Sequence, residues 1–343
     1  MKIFIAGPRN PSSSESSYAR ILREKGCEVM AWDDKAPFQL LGKRDWWQLS
    51  RAERIAYDAV ASLRFYQACR DYKPDILFMP KAENIHSYAV RRVLEETRAR
   101  LVIWYPDNPF KADQSSVNIL RNLKRCDIFY IWGKFLVEPL RAAGCRRVEY
   151  LPFGFDPVQH PPEATTTPEE QISFKSDICF VGTWDSERES ALLPLADFDL
   201  GIWGPFWKER VDRRSPLYPK IRGVGVFGAV MVKAFKSAKV VFNHLRLHNG
   251  SAHNTRTMEI TGIGGGPMLV RRTIEQSREL FVEGEHLVCF ENAQEMQNAA
   301  HDLLSDSNAK LSMSRRAQER VFSQHLLSFR FDQMLHDLSY LAR

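Results

Sequence analysis

Short apolar runs alternate with helical stretches along most of this chain, and this alternation constrains its fold more than any other feature. The first run, at residues 2–6, leads into a loop, a helical stretch at 18–25 and a second run at 27–31. Because a strand–helix–strand unit usually places its strands in parallel, we predict mainly parallel sheets. The 343 residues exceed what one hydrophobic core usually serves, so we expect two such domains.

Further apolar runs predict the remaining strands. They lie at 75–80, 101–106, 127–132 and 148–152 in the first half, and at 177–181, 198–203, 240–243, 268–270 and 287–290 in the second. Residues 156–174 between the halves are rich in Pro, Thr and Glu, which is typical of a linker. We therefore predict two open α/β domains with their carboxyl edges on either side of a cleft. The predicted segments are a first domain at 1–158, a linker at 159–174, a second domain at 175–325 and a final segment at 326–343.

The composition favours a protein of the cytoplasm. The net charge of +6 fits anionic ligands, a membrane surface or nucleic acid, although surplus basic side chains are most often only solvated. The six cysteines form no Cys-x-x-Cys pair and several lie in apolar runs, which predicts reduced core thiols rather than a metal or disulfide framework. No apolar run approaches about eighteen residues and the N-terminus does not resemble a signal peptide, so we expect any membrane association to be peripheral.

Residues 253–267 predict a polar loop, a short helix and a glycine-rich turn that leads into a strand. Arg256 and Glu259 are three positions apart, so they project from one face of that helix near its first turn. Asn254 or Thr255 can cap the helix, which leaves backbone N–H groups free to bind phosphate. Glu259 can accept hydrogen bonds from two vicinal hydroxyls. This set fits a nucleotide sugar; the alternative is an ordinary capped helix with an Arg–Glu surface pair.

Two loops that follow other strands of the second domain add candidate contacts. Gly182 would let the backbone approach a pyrophosphate, and Arg188 would neutralise its charge without a metal. Gly204 begins an aromatic loop, and Trp203, Pro205 or Phe206 can cover a flat base. A glycine after a strand is more often only a turn, but together these residues supply pyrophosphate, ribose and base contacts within one domain.

The first domain offers candidate catalytic groups at the ends of its strands. Asp107 and Glu83 lie at the predicted carboxyl edge and are candidate bases, although Asp-Asn-Pro at 107–109 is also typical of a turn. The loop after the first strand lacks Gly-x-Gly-x-x-Gly, which argues against a dinucleotide cofactor there.

Two segments of the first domain allow more than one interpretation. The serine run at 12–17 fits a loop that contacts an acceptor or, more simply, a loop with a helix N-cap. Residues 37–70 contain Trp46 and Trp47, and they fit either a membrane-interface segment or an amphipathic helix packed on the sheet.

Several of these segments together resemble one family. The pattern Asn-x-Arg-x-x-Glu-Ile-x-Gly-x-Gly-Gly at 254–265 and the run Glu-Leu-Phe-x-x-Gly at 279–284 resemble the donor domain of GT-B glycosyltransferases. The chain is most similar in these motifs to the spore-maturation-type proteins of glycosyltransferase group 1. The segments at 104–110, 150–157 and 177–182 resemble the same family.

The resemblance implies a GT-B fold of two Rossmann-like domains, with the last helix, at about 328–341, crossing back onto the first domain. It implies transfer of a sugar from a nucleotide-sugar co-substrate to a glycan, a lipid-linked molecule or another hydroxyl acceptor, as in polysaccharide biosynthesis, with no metal or further cofactor. Glu259 would hold the ribose hydroxyls and Arg256 would lie near the phosphates. If the reaction inverts the anomeric centre, Asp107 is the first candidate base and Glu83 the second; a retaining reaction needs neither.

Two positions depart from the family pattern. Many related enzymes have another acidic residue eight positions before the ribose glutamate, where this chain has Ser251, and the usual Asp-Asp-Pro is Asp-Asn-Pro at 107–109. These departures favour an alternative, a non-catalytic surface or coat protein that retains the fold. The basic and aromatic segment at 206–222 favours a second alternative, a transferase that acts on nucleic acid.

Overall fold

The computed structural model describes residues 1–7, 13–34, 50–81, 83–112, 114–305 and 307–341. The chain divides into two compact units, Met1–Pro152 and Phe153–Arg343. Each unit contains a six-stranded sheet in which every pair of neighbouring strands is parallel. The prediction of two α/β domains with parallel sheets is confirmed.

In the first unit, strands and helices alternate, and the sheet order is β2-β1-β3-β4-β5-β6. The elements are β1 (Lys2–Ala6), α1 (Ser14–Glu24), β2 (Glu28–Trp32), α2 (Arg51–Tyr72), β3 (Ile76–Met79), α3 (Ser87–Thr97), β4 (Arg100–Tyr105), α4 (Val117–Asn122), β5 (Ile128–Ile131), α5 (Val137–Ala142) and β6 (Val148–Tyr150). Short 3₁₀ helices lie at Leu123–Arg125 and Lys134–Leu136.

Local capping and packing explain the first two helices. Ser13 accepts a hydrogen bond from the Ser16 amide at 3.3 Å, so the serine run supplies the N-cap of α1. Helix α2 packs on the sheet through Phe65, whose ring lies 5.7 Å from that of Phe4 in β1. The described part of the 37–70 segment is therefore a helix on the sheet, whereas Trp46 and Trp47 lie outside the described residues. Among the described helices, none has the length and apolarity needed to cross a bilayer.

The second unit has the sheet order β12-β11-β10-β7-β8-β9. Its elements are α6 (Pro168–Phe174), β7 (Ser176–Val181), α7 (Ser186–Leu192), β8 (Leu200–Trp203), α8 (Trp207–Arg210), β9 (Ile221–Gly223), α9 (Gly228–Lys236), β10 (Ala238–Asn243), α10 (Thr255–Ile263), β11 (Met268–Arg271), β12 (Leu287–Phe290), α11 (Ala293–Ser305), α12 (Ser307–Gln324) and α13 (Leu327–Leu341). Further turns of helix are the 3₁₀ segments Leu193–Leu195, Tyr218–Lys220 and Leu247–Asn249 and the π-helix Glu275–Leu280.

Backbone contacts explain why the second unit begins at residue 153, whereas the sequence predicts a first domain that extends to 158. The Phe155 amide donates to the His325 carbonyl at 2.8 Å, and the Leu327 amide donates to the Phe155 carbonyl at 2.7 Å. A side chain at Gly154 would lie 2.6 Å from the Leu327 Cα, so this close approach requires glycine. The segment predicted as a linker contains helix α6, which begins with a capping box formed by Thr167 and Glu170.

Most of the cysteines lie in the core, as their positions in apolar runs predict. All six are free, and all but Cys27 are buried.

Candidate functional site

The carboxyl edge of the second sheet has a switch in strand order between β7 and β10. Strands β8 and β9 lie on one side of β7 in the sheet, while β10, β11 and β12 lie on the other side. Loops that leave adjacent strands in opposite directions open a crevice, and α/β proteins bind ligands at such points. Most of the residues that the sequence predicts for donor binding lie on the loops and helices that follow β7 and β10.

A reciprocal pair of amides fixes helix α10 at this edge. Asn243, at the end of β10, donates to Asn254 Oδ1 at 3.1 Å, and Asn254 donates back to Asn243 Oδ1 at 3.1 Å. Asn254 also donates to the His244 carbonyl at 3.2 Å and accepts from the Thr257 amide at 3.0 Å. Both N–H donors of Asn254 are thus used inside the protein, and its role is to cap and position α10. By helix geometry, the amides of Thr255 and Arg256 remain available for a ligand.

Glu259 lies one turn into α10, between the side chains of Arg256 and His160. Its Oε2 is 2.5 Å from Arg256 Nη1, and its Oε1 is 3.3 Å from His160 Nε2. Burial alone would raise the pKa of Glu259, but Arg256 and His160 outweigh burial and lower the pKa from 4.5 to about 2. The ion pair therefore contributes its full stabilisation above about pH 4.5 and loses it as the pH falls towards 2. At neutral pH, Glu259 is an ionised acceptor for hydroxyl groups.

Contacts with neighbouring side chains position Arg256 and His160. The Arg256 guanidinium lies over the Phe235 ring of α9, 5.8 Å from its centre, and contacts the Met231 sulfur. The His160 ring is buried and stacks on Phe155, with 6.5 Å between ring centres. Sequence reasoning missed His160, because it lies in the predicted linker and reaches Glu259 only through the tertiary fold.

The glycines after β7 and β8 serve close packing of two loops. Gly182 donates to the Trp203 carbonyl at 2.9 Å, and its own carbonyl accepts from Trp207 Nε1 at 2.7 Å. A side chain at Gly204 would place its Cβ 1.8 Å from the Gly182 oxygen. These contacts account for both glycines without a ligand, and their contact with a pyrophosphate stays a prediction.

Two arginines, Arg188 and Arg246, contact the carboxylate of Asp185 in the loop after β7. Asp185 caps α7 by accepting from the Arg188 amide at 2.9 Å, and its Oδ2 lies 2.5 Å from Arg246 Nη2 and 3.5 Å from Arg188 Nη1. Burial and then the nearby Arg246 lower the pKa of Arg188 to about 10, with a further contribution from Arg256. Arg188 Nε is buried without a hydrogen-bond partner in the described part of the chain. This excess of positive charge attracts anions, and Arg246 is a member that sequence reasoning missed.

Phe206 adopts a left-handed backbone conformation that residues other than glycine usually avoid. Its φ is +69°, and its side chain is about half exposed. The other non-glycine residues with positive φ in the described ranges, Lys73 and Arg98, end helices, whereas Phe206 precedes α8. Such strain outside a helix end often marks a functional position. The loop after β8 thus presents an aromatic ring to solvent, as contact with a flat base requires.

The basic segment 206–222 makes many internal contacts. Arg222 pairs with Asp199 at 2.7 Å, Lys220 donates to the Phe198 carbonyl at 2.8 Å, and Trp207 is fully buried. Lys208, Arg210, Arg213 and Arg214 are exposed, so binding of nucleic acid by this segment stays a prediction.

A carboxylate occupies the neighbourhood of Ser251 although residue 251 itself is not acidic. Ser251 Oγ donates to Glu275 Oε1 at 3.0 Å, and the Glu275 amide donates to the Ser251 carbonyl at 3.1 Å. Glu275 is 2% exposed and begins the π-helix after β11, a type of helix that is frequent at functional sites. The loops that carry Ser251 and Glu275 thus place a carboxyl group next to position 251, where the family pattern has an acidic residue. Sequence reasoning missed Glu275 because the pairing joins separate loops.

In the first unit, Lys81 brings the two candidate bases together. Its ammonium lies 2.5 Å from Asp107 Oδ2 and 3.8 Å from Glu83 Oε1, and the Tyr105 hydroxyl donates to the same Glu83 oxygen. Burial alone would lower the pKa of Lys81, but Asp107 and Glu83 outweigh burial and raise it. Lys81 therefore stays an ammonium at neutral pH and holds both carboxylates at the carboxyl ends of β3 and β4. Its pairing with them was not predicted.

No group of three or more His, Cys, Asp or Glu side chains within the described ranges is arranged to hold a metal ion.

Part of the chain matches a known family model, and its fold is similar to several solved structures. Residues 188–336 match the family model described as glycosyl transferase-like. No curated protein matches the chain. Among solved structures, the chain is similar to HepE of Anabaena in complex with UDP and glucose, with 14% identity, a TM-score of 0.69, and 99% of this chain and 100% of that chain covered.

Two further structures have the same fold. Sucrose-phosphate synthase from Thermosynechococcus elongatus is 12% identical, with a TM-score of 0.72 and full coverage of both chains. A glycosyltransferase from Rickettsia africae is 13% identical, with a TM-score of 0.67 and coverage of 100% of this chain and 98% of that chain. At these identities the likeness establishes the fold, and the predicted GT-B fold is confirmed.

Substitution of Gly204 by alanine tests the packing of the two glycine loops. We expect Gly204→Ala to destabilise the second unit by about 1–3 kcal/mol or more, because the new methyl group overlaps the Gly182 carbonyl. Thermal unfolding should show a fall in apparent Tm of several degrees. Gly225→Ala is the matched control, since a Cβ there meets only Pro205 Cδ at 3.9 Å. Equal Tm values for the two variants would contradict this account.

Proposed function

Since residues 188–336 belong to the glycosyl transferase-like family and the whole chain has the GT-B fold, we propose that it is an enzyme that transfers a sugar from a nucleotide-sugar donor to a hydroxyl-bearing acceptor. The observation that carries this proposal is the ionised Glu259 beside Arg256 at the capped start of α10. A carboxylate for hydroxyls, a guanidinium and free helix amides for phosphate occur there within one helical turn.

The donor binds at the switch between β7 and β10. Glu259 accepts hydrogen bonds from the ribose hydroxyls, because each of its oxygens has a second lone pair beyond those used by Arg256 and His160. The α10 amides and Arg188 bind the phosphates, and Phe206 covers the base. HepE was solved with UDP and glucose, so a UDP-sugar is the first donor to test.

Positive charge stabilises the leaving nucleoside diphosphate. As the bond to the sugar breaks, negative charge grows on the phosphate oxygens, and preorganised cations lower the barrier most where charge develops. Arg246 and Arg256 lie close enough to Arg188 to lower its pKa. We propose that these cations and the α10 amides supply the charge that Mg²⁺ supplies in metal-dependent transferases.

The acceptor binds at the carboxyl edge of the first sheet. Asp107 is the proposed base for an inverting reaction, with Glu83 as the second candidate, and Lys81 holds both in place. The acceptor is a glycan, a lipid-linked molecule or another alcohol, and peripheral contact with a membrane is proposed only for the lipid-linked case. The contact between Glu275 and Ser251 weighs against a non-catalytic coat protein, because the carboxylate missing from position 251 stands beside it.

Substitution of Glu259 tests the donor site. We expect Glu259→Gln to weaken UDP and UDP-glucose binding by about 10- to 100-fold, because charge-assisted hydrogen bonds to the ribose are lost. Calorimetry measures the affinities, and release of diphosphate from a panel of nucleotide sugars identifies the donor. Glu319→Gln, an exposed surface change, is the control. Normal binding by Glu259→Gln would remove this residue from the site, and no binding of any nucleotide by the unaltered protein would overturn the proposed function.

Substitution of Asp107 tests the base. We expect Asp107→Asn to lower kcat by about 100-fold or more and to leave the Kd for UDP unchanged, because general base catalysis contributes on this scale and the donor residues lie in the second unit. Glu83→Gln should have the smaller effect on kcat. An unchanged kcat for Asp107→Asn, together with retained anomeric configuration in the product by NMR, would exclude a base role for Asp107.

Substitution of Glu275 tests the carboxylate beside Ser251. Glu275→Gln keeps an oxygen for the Ser251 hydroxyl but removes the charge. We expect the affinity for the nucleotide sugar to fall by about 10-fold while that for UDP stays the same, because Glu275 lies beside position 251, where related enzymes have an acidic residue that contacts the sugar. An equal loss for UDP and UDP-glucose would contradict a role in sugar recognition.

A further inference from the structure

Arg271, the last residue of β11, is a half-buried cation at the carboxyl edge of the second sheet. Its Nε and Nη2 atoms are buried and have no hydrogen-bond partner within the described ranges. The adjacent Arg272, in contrast, forms ion pairs with Glu283 at 2.7 Å and with Glu291 at 2.5 Å. Arg271 has no such ion pair among the residues that the structure describes.

The acid whose charge acts on Arg271 uses one of its oxygens, Oε1, for other partners. Glu187, whose charge favours the protonated form of Arg271, binds His244 at 3.2 Å and accepts from the Leu247 amide at 2.7 Å. No carboxylate of the described residues forms an ion pair with Arg271, whereas Arg188 and Arg246 share Asp185 and Arg256 pairs with Glu259.

The sheet register separates Arg271 from the arginines around Asp185. Asn243 of β10 pairs with Val270 of β11, so Arg271 is level with His244 and points to the face opposite the Asn243 side chain. Arg188 follows β7, which lies two strands from β11, or about 10 Å at the usual strand spacing. Arg271 is thus a second positive centre along the same edge, beyond Glu187.

Buried donors of a charged group are costly unless they are paired. Burial also lowers the pKa of Arg271, and only a nearby negative charge offsets this. Such a group is tolerated where a ligand accepts the hydrogen bonds that the protein leaves unmade. The two unpaired N–H groups of the guanidinium match the two oxygens of a carboxylate or phosphate.

We propose that Arg271 binds an oxyanion of the substrate at a position separate from Arg188, Arg246 and Arg256. This inference rests on the proposed function, because the donor is the ligand that lies along this edge. Two sources have the required chemistry: a phosphate of the nucleoside diphosphate, and a carboxylate on the transferred sugar.

Calorimetry with UDP, UDP-glucose and UDP-glucuronate tests this on the full chain and on Arg271→Gln. We expect the variant to lose about 10-fold or more in affinity for at least one of these ligands. An equal loss for all three assigns the oxyanion to a phosphate, and a loss confined to UDP-glucuronate assigns it to the sugar. Arg315→Gln removes the same charge at an exposed position and serves as the control. Unchanged affinity of Arg271→Gln for every ligand overturns the inference.

Thermal unfolding without ligand separates ligand binding from a structural role. We expect Arg271→Gln to have an unchanged or higher Tm, because the substitution removes a poorly paired buried charge. A fall of several degrees would show that Arg271 stabilises the fold, and it would overturn the inference. If the unaltered protein binds a nucleotide sugar and Arg271→Gln binds it equally well, the inference alone fails. If the unaltered protein binds none of the ligands, the proposed function fails as well.

Discussion

The amide pair between Asn243 and Asn254 is the contact on which the second unit's proposed site depends. It joins the end of a central strand to the cap of α10 by two hydrogen bonds of 3.1 Å, with Asn243 buried and Asn254 partly buried. Because the helix start is fixed to the sheet, Arg256 and Glu259 keep their positions relative to the β7 loop. An amide pair also carries no net charge, so it orients the site without altering its electrostatics.

The site separates charges that would otherwise cancel. Asp185 holds two arginines near the β7 loop, while Glu259 is ionised between Arg256 and His160. A carboxylate with such partners remains an acceptor, and arginines that outnumber their carboxylate remain available to an anion. Positive and negative parts of one ligand site thus coexist within a few residues of each other, a property that suits a donor carrying both hydroxyls and phosphates.

Local patterns allowed much of the fold to be predicted, but contacts between distant segments did not follow from them. Apolar runs bounded by glycine or proline identified nearly every strand to within one or two residues, because burial on both faces leaves a continuous signal. The spacing of Arg256 and Glu259 likewise followed from helix geometry. His160, Arg246 and Glu275 reach the site from other loops, and no local pattern encodes such pairings.

The bridge between Phe155 and Leu326 has a consequence for synthesis of the chain. The second unit's opening segment pairs with a segment far along the chain, so this unit cannot close the loop between them until Leu326 has left the ribosome. The first unit needs nothing beyond residue 152 for its own sheet. Vectorial folding is therefore available to the first unit, whereas the second completes its structure only after Leu326 has been synthesised.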